Sequence, residues 1–184
     1  NENTGEHIKG IKLDIEFYTS DKYKSLETDE EKVEEFQKFF EANKEFCTYA
    51  KEKGLSYSID LPVWLDSLDE EILEEIIKLD YDHIAYMNYN KKNALENISK
   101  EVELAKKYNK KIVNIAELQN PDKHKGLLES ETFYNDGIIV CNQKLTQILN
   151  KYNYNNLGIS YHEYNSLVEL MEKENPEEAN KIEK

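Results

Sequence analysis

Short β-rich runs alternate along the chain with longer segments whose apolar residues recur at helical spacing, the pattern of parallel strands joined by crossover helices. Five runs read as strands: residues 8–16, 55–61, 83–89, 111–118 and 157–164. Each is followed by a loop and then by a helix-like segment. The first helix has the clearest borders. Thr28 caps it with Glu31 three residues on, apolar positions recur at Val33, Phe36, Phe39, Phe40, Phe46 and Ala50, and Gly54 stops it. Further helices are expected over about 69–79, 93–108 and 136–151, with a last, highly charged one from about 165.

Parallel strands joined by helices either form an open doubly wound sheet or close into a barrel. No Gly-rich phosphate loop follows the first strand, so a nucleotide-binding sheet is disfavoured. The expected fold class is therefore α/β, a parallel sheet of about five βα units resembling the C-terminal part of a (β/α)8 TIM barrel. A complete barrel takes eight strands and about 250 residues, against 184 here. The first strand also starts almost at residue 1 and would leave an open edge, a route to self-association. The expectation is a fragment short of about three N-terminal βα units, with one domain over 1–171 and a charged tail over 172–184.

Charge narrows the partners. A net charge of −14 repels a nucleic-acid backbone, so no nucleic acid is expected. Most of the acid surplus lies on helix faces such as "TDEEKVEEF" and "LDEEILEEI", where a solvated surface is the ordinary reading. No apolar run approaches the ~20 residues of a membrane span, so no membrane insertion is expected. Cys47 and Cys141 have no CxxC partner and read as packing residues. No cofactor is implied. Localisation stays open, because a leader preceding Asn1 would make the protein secreted or cell-surface.

Candidate chemistry gathers at the C-terminal ends of the strands, where parallel α/β barrels carry their sites. Strand one ends with Asp14 and Glu16, strand two with Asp60 and then Trp64, strand three with Met87, Tyr89 and Asn90, strand four with Glu117, and strand five with His162 and Tyr164. Residues two apart on a strand share a face and stand roughly 6.6 to 7 Å apart. That parity turns Asp14, Glu16, Asp60, Met87, Tyr89, Glu117, His162 and Tyr164 to the barrel interior, with Ile11, Leu13 and Ile15 toward the helices. Carboxylates crowded in a partly dry pocket raise the pKa of at least one of them, which makes a general acid. Tyr89, Tyr164 and Trp64 offer flat faces for stacking on a sugar ring. His7, His83 and His124 read as incidental.

These strand ends resemble the C-terminal half of chitinase-like TIM-barrel glycosidases, glycoside hydrolase family eighteen and its looser bacterial relatives. That family ends one strand with D-x-x-D-x-D-x-E, and "LDIE" matches its last D-x-E with Asp14 and Glu16; two strands later its M-x-Y-D is matched by Met87 and Tyr89. The resemblance implies Glu16 as acid and base, Asp14 as the residue orienting the substrate, and a carbohydrate ligand held by Asp60, Trp64, Met87, Tyr89, Glu117, His162 and Tyr164. Lys9 and Lys12 replace the motif's first two acids, and Asn90 replaces its final Asp. Lys12 is placed to neutralise Asp14. Two alternatives stand beside this reading: a non-catalytic sugar-binding or structural barrel, and a metal-dependent hydrolase with Asp14, Glu16, Asp60, Glu117 and His162 as ligands.

Overall fold

In a computed structural model describing residues 8–174, five strands lie side by side in chain order: β1 (Gly10–Asp14), β2 (Ser56–Pro62), β3 (His83–Met87), β4 (Ile112–Glu117) and β5 (Leu157–His162). Every adjacent pair is parallel. The strand order never reverses, and right-handed crossovers then place every connecting helix on the same face. The fold is thus α/β, a five-stranded arc of TIM-barrel type rather than a doubly wound sheet. The connections are α1 (Asp21–Lys24), α2 (Asp29–Glu52), α3 (Leu65–Leu68), α4 (Glu70–Lys78), α5 (Ala94–Asn97), α6 (Ser99–Tyr108) and α7 (Ile138–Tyr152), and α8 (Tyr164–Glu174) follows β5.

The core lies between sheet and helices. Tyr57, Ile59, Leu61, Ile84, Tyr86, Ile112 and Ala116 from the strands meet Phe36, Phe40, Leu73, Ile76, Val102, Leu145 and Ile148 from the helices. The opposite face carries a separate small cluster of Ala85, Met87 and Ile115, against which Tyr18, Tyr89 and Val113 pack. Alternation along each strand thus sends one set of residues to the helices and the other to the concave side, as the sequence parity requires. Cys47 and Cys141 are buried and unpaired.

Local signals explain most borders. α2 starts on a complete capping box: the Glu31 amide donates to Thr28 Oγ1 at 3.2 Å, and the Thr28 amide donates to Glu31 Oε2 at 3.1 Å. Gly54, at φ +69, follows its end. The buried stripe of α2 is Phe36, Phe40, Asn43, Cys47 and Ala50, spaced by alternating fours and threes. Phe46 sits a turn-step off that stripe and is 53% exposed, contrary to its expected core role.

Other borders shift. The expected helix over 93–108 breaks at the fully buried Ile98, between α5 and α6. β1 stops at Asp14, because the Glu16 carbonyl accepts the Thr19 amide at 2.9 Å and opens a 3-10 turn over Phe17–Thr19. Ile11 and Ile15 are exposed, and of the three apolar residues assigned to the helix face only Leu13 packs on the core. α8 continues to Glu174, so residues 172–174 of the expected tail are helical; the rest of that tail and His7 lie outside the described residues. No helix among the described residues is long and apolar enough to cross a membrane.

Candidate active site

Register builds the concave face in layers. Asp14, Asp60, Ala85 and Val113 are neighbours across β1 to β4, and Pro62, Met87, Ile115 and Ser160 form the next layer toward the strand ends. Glu117 and His162 pair above them. In-register parallel partners point to the same side, so each layer brings side chains from different strands together.

Asp60 faces Lys12, which reaches diagonally across from β1 to put Nζ 3.0 Å from Asp60 Oδ1. The contact is an ion pair of poor direction, because Oδ1 lacks a properly aimed hydrogen-bond donor; we read it as charge proximity rather than a full hydrogen bond. Burial pushes the Asp60 carboxyl up, and Lys12 opposes that shift. Lys12 therefore serves Asp60, not Asp14 as its sequence position suggested. Asp14 is exposed.

Glu117 is buried at the end of β4, with Oε1 accepting the Gln119 amide at 2.7 Å and Oε2 accepting His162 Nδ1–H at 2.9 Å. A carboxylate can only accept, so Nδ1 carries the hydrogen and Nε2 is left for solvent or ligand. The hydrogen bond to Glu117 raises the His162 pKa, against a smaller effect of burial. The Tyr89 ring stacks on the imidazole with centroids 6.1 Å apart. Burial, then the charges of Glu117, Asp14, Glu16 and Asp60, hold the Tyr89 phenol far above its ordinary range. Tyr89 thus sits at the centre of the acidic mouth.

Beside this group opens a cleft of about 380 Å³. Glu16 and Tyr18 reach it from the turn after β1, Pro62, Val63 and Trp64 from the end of β2, Met87 from the end of β3, Tyr89 and Asn90 from the segment after it, and Asn97 from α5. Ser130 and Glu131 close it from the loop between β4 and α7. The Tyr18 hydroxyl donates to Glu16 Oε2 at 3.2 Å and meets Trp64 edge-on, with centroids 5.2 Å apart. Glu16 itself is exposed, so the dry surroundings expected for it are not its own but those of Tyr18, whose phenol burial and then Glu16 push upward. A second hollow, about 410 Å³ and lined by Lys51, Tyr57, Asp80 and Lys110, lies at the N-terminal strand ends. Parallel barrels do not place chemistry at that end.

Of the residues expected in the site, the cleft gathers Glu16, Trp64, Met87 and Tyr89. Asp14, Asp60, Glu117 and His162 line the concave face next to it. Tyr164 is not brought in: β5 stops at His162, and Tyr164 is exposed in the first turn of α8. Tyr18, Ser130 and Glu131 were missed because they sit in turns and loops without strand alternation to point them, and Asn97 because it ends the short helix α5 rather than a strand. Among the described residues no three His, Cys, Asp or Glu side chains gather closely enough to hold a metal ion. No protein-family model, no curated protein and no solved structure matches the chain.

Proposed function

We propose that the cleft binds a carbohydrate and that Glu16 is the acid for cleaving a glycosidic bond. The supporting observation is the company Glu16 keeps in one cleft at the strand ends: the rings of Tyr18, Trp64 and Tyr89, and the amides of Asn90 and Asn97. Aromatic faces suit the apolar faces of sugar rings, and amides suit their hydroxyl groups. The Tyr18 hydroxyl fixes one oxygen of Glu16. The carboxylic acid form of Glu16 gives its proton to the bridging oxygen as the bond to the anomeric carbon breaks, and water completes hydrolysis.

The test is turnover on a broad panel of oligosaccharides, with Glu16→Gln beside the wild type. Loss of at least about a hundredfold in turnover with sugar binding retained is the expected result, the size typical of a removed acid catalyst. Unchanged turnover in Glu16→Gln sinks the assignment. A second reading, a sugar-binding module without catalysis, is favoured by one observation: Asp14, the other half of the D-x-E pair, does not line the cleft. Binding without hydrolysis of any glycan decides for it.

A further inference from the structure

Outside the substrate-assisted families, glycosidic hydrolysis uses two carboxyl groups in one cleft, one to protonate the leaving oxygen and one to activate water or attack carbon, and Asp14, which would orient the substrate for such assistance, does not line this cleft. If Glu16 is the acid, as proposed above, the other carboxylates of the mouth can be sorted by what already holds them. Glu117 is 2% exposed, with both oxygens occupied by Gln119 and His162. Asp60 is held against Lys12. Asp14 is outside the cleft lining.

Glu131 remains, and it is held as a working group would be. It lines the same cleft as Glu16 but arrives on the loop after β4, with β2 and β3 between the two. Oε2 accepts the Leu128 amide at 2.8 Å, which fixes the side chain; Oε1 accepts no hydrogen bond among the described residues. The backbone on both sides is pinned to the sheet ends. Before it, the Ser130 carbonyl accepts the Lys91 amide at 3.2 Å. After it, Thr132 bridges to Glu117, its hydroxyl donates to the Gln119 carbonyl at 2.8 Å, and the Phe133 amide donates to the Glu117 carbonyl at 2.9 Å. A site carboxylate needs such a support, because small displacements of a reacting group cost much of the rate.

We propose that Glu131 is the second catalytic carboxylate, the base of an inverting hydrolysis. A water proton passes to Glu131 Oε1 while the water oxygen bonds to the anomeric carbon. The bond from that carbon to the bridging oxygen breaks, and the departing oxygen takes the proton of Glu16. The cycle leaves Glu16 ionised and Glu131 protonated, and solvent returns the proton from one to the other. Water activated in this way attacks from the side opposite the departing oxygen, so the product has the opposite anomeric configuration.

The experiment uses whichever glycan the wild-type chain hydrolyses. Nuclear magnetic resonance of the first product is expected to show inversion. Glu131→Gln keeps an oxygen for the Leu128 amide and should fold, yet lose at least about a hundredfold in turnover; Glu131→Ala should regain turnover in azide and release a glycosyl azide, which a merely structural residue would not do. Retained configuration, or near wild-type turnover in Glu131→Gln while Glu16→Gln is dead, overturns the role of Glu131 and leaves that of Glu16 standing. A wild-type chain that hydrolyses no glycan overturns both. Should Glu131→Gln fail to fold, the anomeric configuration decides.

Discussion

Glu117 and His162 form the best-defined side-chain pair in the mouth. They end neighbouring strands in register, and the Nδ1–H bond to a buried carboxylate makes the protonated imidazole more stable in the fold than in the open chain. The sign follows from linkage: the folded pKa is raised, so this stabilisation is fully present below the unfolded value of about 6.5 and is lost as pH rises through the folded value. Glu163 and Asp14 raise the His162 pKa by less than Glu117 does, and burial lowers it, so removing Glu117 leaves burial as the largest single influence and should lower the pKa. In a Glu117→Gln protein the His162 ring protons, followed by nuclear magnetic resonance, are expected to titrate at lower pH than in the wild type. The His162 side chain is 47% exposed, so solvent screens the pair and the matching change in stability is small. A titration that does not move in Glu117→Gln would refute the arrangement.

Helix α6 shows what an element adds to its residues. Its inward stripe, Glu101, Val102 and Ala105, follows from Ile98 at helical spacing, yet Glu101 is 0% exposed and neither carboxylate oxygen has a hydrogen-bond partner among the described residues. Burial pushes its carboxyl up to about 8, with Asp66 of α3 adding to the shift. An unfolded glutamate loses its proton near 4.3, so across the window from there to about 8 the fold keeps a proton that the open chain has released. Stability therefore falls as pH rises through that window, and below it the cost is absent. Glu101→Gln should flatten this slope in urea unfolding followed at several pH values; an unchanged slope assigns it to other groups. The same helix marks the limit of the sequence pattern. Alternation in the strands exposes which side of the sheet each residue takes, so Asp60, Met87, Tyr89 and Glu117 were placed on the concave face from the sequence. A glutamate on a charged helix looks solvated, and only the packing of α6 against α4, α5 and the sheet buries this one. The loop over 118–137 has no period at all, so nothing in its sequence pointed Ser130 and Glu131 into the cleft.

At the scale of the molecule, the sheet is an arc with two free sides among the described residues: β1 and β5 each have one strand neighbour. A parallel sheet is ordinarily covered, and an open edge is a template for another strand. Ile11 is 40% exposed on β1 and Ile159 is 39% exposed on β5, so apolar surface accompanies both edges. The outer edge of β5 in one copy can take β1 of another in the same parallel sense, a head-to-tail contact that continues the sheet order. The net charge of −14 opposes that contact at low salt, and screening relieves it as the Debye length shrinks to about 3 Å near 1 M. For the 184-residue chain we therefore expect sedimentation to show association that grows with both concentration and salt. Ile159→Lys separates edge pairing from charge: it makes the chain less negative and so weakens the repulsion, but it sets a charged side chain on the edge. Loss of association in Ile159→Lys then reports the strand contact itself, whereas a wild type that stays monomeric in high salt, or a variant that associates as before, rules the edge out.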